Sequence, residues 1–149
     1  MKKIYALVGA VMSTVLITAL PASAAVSSST YERQAESRTN VKRVERDRVA
    51  LKHSSCVDRH AESHARWMAR NQKLKHQSLR PILKRCKLTG VAENIAYGYT
   101  SGNRVVTAWM KSPGHRKNLL NSKMRYVGVA AVKDGNGRWW VAQVLGTRK

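Results

Sequence analysis

Three ionisable residues that lie far apart in the sequence are the candidates for a functional site. Glu93 lies in the apolar and small-residue stretch Ala92–Gly98, and His115 lies in the Ser-Pro-Gly-His-Arg segment of Trp109–Asn121. His76 follows a long helical pattern. Ionisable groups in such surroundings are typical of an enclosed cleft. If the fold brings the three together, two imidazoles and one carboxylate form a ligand set for a divalent metal, most naturally Zn²⁺.

The chemistry of this cleft has several interpretations, and one is that the three residues hold an anionic ligand. Otherwise His76, Glu93 and His115 could form a hydrogen-bonded network that fixes the cleft, bind a metal opportunistically, or act in metal-assisted hydrolysis. We rank the network first, metal binding second and hydrolysis third, because the cleft has one carboxylate, Glu93, instead of two. His115 would be the third residue after a helix-capping Ser112, where the helix dipole disfavours imidazolium and helps a neutral ligand. We therefore assign no catalytic residue and require no cofactor.

A second pair of histidines, His60 and His64, shares one face of a predicted helix. A zinc metalloprotease needs its glutamate directly after the first histidine, whereas Glu62 comes one position later. The zinc deaminase pattern also fails, because no Pro-Cys-x-x-Cys follows, and the sequence contains no Gly-x-Ser-x-Gly. We interpret the pair as a polar stripe beside a packed helix, with a surface metal site as the minor alternative.

Hydrophobic periodicity and turn residues indicate the elements that must position the candidate residues. Ser29 and Glu32 suit a capping box at the start of the first helix, and Ser112-Pro113 suits the start of a short one. The predicted helices are Thr30–Val44, Cys56–Asn71, a short turn within Leu79–Leu88, Asn103–Met110 and Pro113–Leu120. The predicted strands are Val91–Ala96, Tyr126–Val132 and Arg138–Leu145, the last two joined by a hairpin at Asp134–Gly137. This order predicts an α+β fold, a three-layer α/β/α sandwich around a small, mostly antiparallel sheet.

The four tryptophans are the large apolar residues of a chain that contains no phenylalanine. Trp67, Trp109 and Trp140 occupy core-like positions in the predicted elements. Strand alternation directs one of Trp139 and Trp140 away from the core face, and we assign this position to Trp139. There it could mark a contact surface, although a partly covered strand is more usual. Asn118 and Gln143 are predicted to be hydrogen-bonding members of the core.

Several motifs occur in an order that carries a family resemblance. They are Asn40 and Arg43, Leu74 and His76, Glu93–Ala96, Trp109–Leu120, Val127–Val129 and Trp140–Gln143. In this order they resemble the superfamily of cysteine-rich secretory proteins, antigen five and pathogenesis-related proteins, the CAP or SCP domain, in its compact bacterial form. The match runs from about Tyr31 to Gly146. Two departures are Ala92, where the family usually has glycine, and Lys111 and Ser112, near which many eukaryotic members carry a second cleft glutamate.

The resemblance implies a three-layer fold with a solvent-open cleft bearing His76, Glu93 and His115. Members of the family are known for lipid or sterol binding in some branches and for disputed protease claims, and no single reaction is common to all. A complete site of two histidines and two glutamates is not supported here. The expected domain spans residues 31–147.

The N-terminal residues predict export. Lys2 and Lys3, the apolar stretch Ile4–Leu20 and Ala22-Ser23-Ala24 form a secretory signal over residues 1–24, followed by a mobile leader at residues 25–30. We expect no transmembrane segment after cleavage. In an exported chain, the two cysteines are expected to form one disulfide, Cys56–Cys86.

The chain is strongly basic, with a formal net charge of +20 from 28 lysines and arginines against 8 acidic residues. The cations are spread along the chain, which favours polyanions in general, and an exported protein meets anionic cell-wall polymers and acidic lipids first, so we expect no dedicated nucleic-acid site. The alternative is that the charge only keeps the protein soluble. We expect a monomer that is secreted or associated with the cell envelope. The predicted function is a non-enzymatic extracellular binding module. The main alternative is a metal-assisted, peptidase-like hydrolase, and a third option is a toxin-like or signalling ligand that acts through its surface alone.

Overall fold

The computed structural model describes residues 26–148, so the predicted signal sequence at residues 1–24 lies outside the described part. Each predicted element is present, with ends within two residues of those expected. The elements are α1 (Ser28–Val44), β1 (Lys52–His53), α2 (Ser55–Asn71), α3 (Arg80–Arg85), β2 (Gly90–Tyr97), α4 (Gly102–Lys111), α5 (Pro113–Leu119), β3 (Tyr126–Lys133) and β4 (Trp139–Thr147). The strand β1 was not predicted, because two residues are too few to show a periodicity.

The four strands form one sheet in the order β1-β3-β4-β2. The pairs β3–β4 and β2–β4 are antiparallel, and the short β1 runs parallel to β3. Helices α1 and α4 pack on one face of the sheet, and α2 and α3 pack on the other. The predicted three-layer α/β/α fold is therefore confirmed.

Both faces of the sheet are buried, and this corrects the expectation for two tryptophans. Trp139 is only 6% exposed and packs in the core under α1 and α4, while Trp140 packs under α2. The outward placement of Trp139 was wrong, because alternation along β4 directs its side chains toward two covered faces rather than one. Trp67, expected in the core, is 38% exposed on α2.

Arg43 ties the end of α1 to two loops. Its side chain is fully buried and donates to four backbone carbonyl oxygens of neighbouring chain segments. They belong to Val49 (2.9 Å), Leu119 (2.6 Å), Asn121 (3.0 Å) and Met124 (3.3 Å). Burial lowers the pKa of Arg43, with a smaller contribution from the neighbouring cations Arg125 and Arg48. One turn earlier, the Asn40 amide exchanges two hydrogen bonds with the backbone of Leu51.

The helix starts differ in detail from the expected caps. The N-cap of α1 is Ser27, whose hydroxyl accepts from the Thr30 amide, so the leader expected at residues 25–30 is helical from Ser28 onward. The capping box of Ser29 and Glu32 does not form, because Glu32 instead accepts a hydrogen bond from the Ala131 amide of β3 (3.0 Å).

The disulfide Cys56–Cys86 is present, as predicted, with a Cα–Cα distance of 5.7 Å. It joins the first turn of α2 to the residue that follows α3. The segment between the two cysteines contains the loop at residues 72–79, which carries His76.

Candidate functional site

The loop that carries His76 is held before the histidine by His64 and after it by Glu93. After α2 ends, Gln72 takes a left-handed conformation (φ 52°) that turns the chain back along the helix. The imidazole of His64 then lies 2.7 Å from the carbonyl oxygen of Lys75 through Nε2. Because His64 is buried beneath the loop, this contact fixes the backbone immediately before His76.

His64 was interpreted wrongly from the sequence, as part of a polar stripe. It lies in the core, with its ring stacked on Trp67 at a centroid distance of 5.8 Å. The helical spacing of the sequence does give it the same face as Ala61, Ala65 and Met68, which are also buried.

Glu93 and His76 are brought together at the end of this loop. The Glu93 side chain is 1% exposed, and its Oε1 lies 2.8 Å from Nδ1 of His76, whose own side chain is 61% exposed. Oε1 also accepts from the Gln77 amide (3.3 Å), and Oε2 accepts from Nε2 of Gln77 (2.6 Å). Both carboxylate oxygens are thus occupied, and a neutral His76 that donates through Nδ1 keeps Nε2 as its lone-pair atom. Gln77 was not among the residues predicted from the sequence.

His115 lies on α5, near the pair but in a different depression. Burial, and secondarily the charge of His76, lower the pKa of His115, so the neutral imidazole is favoured at neutral pH. With Leu74, Tyr97 and Trp109 it lines a depression of about 270 Å³. His76 lines another, of about 540 Å³, together with Trp67.

A hydrogen-bonded network links α5 to β2. The Asn118 side chain donates to the carbonyl oxygen of Glu93 and to Oδ1 of Asn94, both at 3.0 Å. Asn94 in turn donates to Oε1 of Gln143 (3.1 Å), and Gln143 is fully buried, as expected. The indole of Trp109 donates to the carbonyl oxygen of Ile95 (3.3 Å). This network holds the His115 helix against the strand that carries Glu93.

Close groups of metal-binding side chains occur elsewhere in the described residues. Two groups of three have all their ligand atoms within 4.8 Å of one another, and they are Cys56, His60 and Cys86, and Glu36, His53 and Asp58. The first contains both disulfide sulfurs, which are not available as thiolate ligands. His76, Glu93 and His115 do not form such a group within residues 26–148, and their role as a metal triad stays a prediction.

Replacement Glu93→Ala tests the structural importance of the pair. The change removes the acceptor of three hydrogen bonds and leaves the Gln77 amide without its partner. We expect the free energy of unfolding to fall by about 2–3 kcal/mol. Urea denaturation measures this, and Glu62→Ala, which removes an exposed carboxylate paired with Arg66, should cost no more than about 0.5 kcal/mol. Equal effects of the two variants would contradict the structural role.

A second surface, which we call the basic groove, lies between α1, α4 and α5. It consists of two depressions of about 560 and 440 Å³ that share Arg38, Thr107 and Lys111. The cationic side chains along it are Arg38, Lys42, Arg46, Arg104, Lys111 and Arg116. Glu45 lies beside them and pairs with Lys42 (2.7 Å) and Arg46 (3.2 Å).

Comparison with known proteins gives a consistent family match. The sequence model of the cysteine-rich secretory protein family, CAP, matches residues 36–144. The YkwD protein of Bacillus subtilis is 32% identical over 131 residues, which are 83% of this chain and 50% of YkwD. The chain therefore spans half of the length of this relative.

Solved structures agree in fold. An extracellular SCP-domain protein of Bacillus anthracis superposes with a TM-score of 0.73 at 26% identity, covering 82% of this chain and 41% of that one. An outer surface protein of Borrelia burgdorferi gives a TM-score of 0.72 at 23% identity, covering 78% of this chain and 92% of that one. Among the described residues, no helix has the length and apolar character that a membrane crossing requires.

Proposed function

The chain belongs to the cysteine-rich secretory protein (CAP) family, and from this premise we propose that it is an exported, non-enzymatic module that binds anionic polymers of the cell envelope. The similarity to an extracellular SCP-domain protein and to an outer surface protein supports this location. The signal sequence predicted at residues 1–24 supports it as well.

The observation that carries the proposal is the basic groove. Arg38, Lys42 and Arg46 follow one another at four-residue intervals along the last turns of α1 and just beyond its end, so they are spaced about 6 Å apart on one side. The cations of α4 and α5 face them across the two depressions. A groove lined on both sides by cations suits an extended chain with repeating negative charges better than a compact, singly charged ligand.

The metal-assisted hydrolase receives less support from the cleft. A catalytic zinc ion is held by three protein ligands and keeps one open position. Both oxygens of Glu93 are engaged by Gln77 and His76, and Lys111 and Ser112 stand near the place of the second family glutamate. His76 and His115 therefore fit only part of such a site. We assign Glu93 the role of orienting His76 and of fixing the loop at residues 72–79.

Binding to a defined polyanion tests the function. The triple variant Arg38→Gln, Arg104→Gln and Lys111→Gln removes three groove charges whose side chains make no hydrogen bond within the described residues. We expect its affinity for poly(glycerol phosphate) to fall at least about tenfold, with a shallower salt dependence. Titration across a salt series measures both quantities.

A matched triple variant, Arg80→Gln, Lys84→Gln and Lys87→Gln, removes the same charge from α3 and its end, in the opposite layer. It should bind within about twofold of the original chain, because it leaves the groove intact. A similar loss of affinity in both triple variants, or an affinity that does not change with salt concentration, would refute the basic groove as the binding site. Stronger binding to phosphatidylglycerol vesicles than to the polymer would instead identify acidic lipid as the ligand.

A further inference from the structure

Outside the cleft, three side chains from three different elements meet at the β1 edge of the sheet. Glu36 lies on α1, His53 ends β1, and Asp58 lies in the first turn of α2. Nδ1 of His53 is 2.9 Å from Oε1 of Glu36, and the ligand atoms of all three residues lie within 4.8 Å of one another. We call this group the edge cluster.

The backbone that carries the edge cluster is firmly positioned. A Cβ at Gly128 of β3 would come within 2.4 Å of the amide nitrogen and Cα of Asp58, so only glycine allows α2 to start this close to the sheet. The Ser54 amide donates to the carbonyl oxygen of Val127 (2.9 Å), which fixes the residue after His53. The ligands thus project from rigid elements rather than from a loose loop.

The edge cluster lies in an acidic region of a chain that is otherwise strongly basic. Of the 8 acidic residues in the sequence, four gather here, because Glu32 and Glu62 are close enough to interact with Asp58. Burial chiefly, and repulsion among these carboxylates, raise the pKa values of Glu32 and Asp58. The nearby positive groups include His53, Arg59 and Arg66, the last of which pairs with Glu62. A divalent cation would relieve this repulsion.

We propose that the edge cluster binds a divalent transition-metal ion, with Glu36, His53 and Asp58 as its protein ligands. One imidazole and two carboxylates are a mixed nitrogen and oxygen set, which suits Zn²⁺ or Mn²⁺. Ca²⁺ fits less well, because it takes six to eight oxygen ligands. Bound metal would cross-link α1, β1 and α2, so it stabilises the fold independently of the basic groove and of the cleft.

The experiment begins with a chain whose cleft histidines are removed by His76→Ala and His115→Ala. Calorimetric titration of this chain with Zn²⁺ and Mn²⁺ should show one equivalent bound, and either metal should raise its melting temperature. Adding His53→Gln and Asp58→Asn should weaken binding at least about tenfold and abolish the shift in melting temperature. His53 has an exposed side chain, so His53→Gln alone tests the ligand without endangering the fold.

The matched control is His60→Gln with Asp47→Asn, which changes the same residue types at other positions of the chain. It should retain the bound equivalent. Absence of binding in the chain lacking the cleft histidines would overturn the proposal. Binding that survives His53→Gln with Asp58→Asn, or that is lost equally in the control, would overturn it too. None of these measurements involves polyanion binding. A failure of the proposed metal site can therefore be distinguished from a failure of the proposed function.

Discussion

Replacing Arg43 with methionine is expected to lower the free energy of unfolding by about 3–5 kcal/mol. Methionine fills much of the same volume but cannot donate, so the carbonyl oxygens of Val49, Leu119 and Asn121 lose this donor within the protein. Buried acceptors without a partner carry their full desolvation cost. The loss should be large because one side chain joins α1 to two separate loops.

Urea denaturation followed by circular dichroism measures this effect. Arg46→Met, at an exposed position just after the same helix, is the control and should change stability by no more than about 0.5 kcal/mol. A loss of less than about 1 kcal/mol for Arg43→Met would show that water replaces the guanidinium as the donor.

The second large effect is expected from removing the disulfide. Cys56→Ala with Cys86→Ala should lower the free energy of unfolding by about 3.5 kcal/mol. The cysteines are 30 residues apart, so the bond restricts a loop of substantial length in the unfolded chain. Alanine is preferred to serine at position 86 because Cys86 is 2% exposed, and a serine hydroxyl would be buried there.

Chemical reduction of the disulfide provides an independent check of the same loss in stability. The original chain in dithiothreitol should unfold at the urea concentration of the double variant, and dithiothreitol should not affect the variant itself. The closed segment also contains His76, so the loop at residues 72–79 should exchange its amide protons faster in the variant. If the oxidised chain and the double variant unfolded at the same urea concentration, the prediction would be contradicted.

Much of the fold could be predicted from the sequence, since long amphipathic helices and an Asp-Gly-Asn-Gly hairpin are local signals. The errors occurred where the outcome depends on distant chain segments. Trp139 was placed outside because alternation alone does not tell whether a sheet is covered on one face or on both. Trp67 shows the reverse, since helical spacing cannot tell a core position from the rim of a depression.

The candidate site likewise contains residues that the sequence indicated and residues that only the fold brings into place. The motifs identified His76 and Glu93, which are in contact, but gave no signal for the part of Gln77, whose side chain occupies the second oxygen of Glu93. Glu36, His53 and Asp58 show no pattern in the sequence, because each comes from a different element. Only the packing of α1 and α2 around β1 brings their ligand atoms within 4.8 Å.

The position of β2 has a consequence for self-association. It is the outer strand beyond β4, and such a strand normally offers free carbonyls and amides on which another molecule can add a strand. Here the side chains of Asn118 and Trp109 already occupy the carbonyl oxygens of Glu93 and Ile95. These two carbonyl oxygens of the edge strand are therefore not free to accept hydrogen bonds from an added strand.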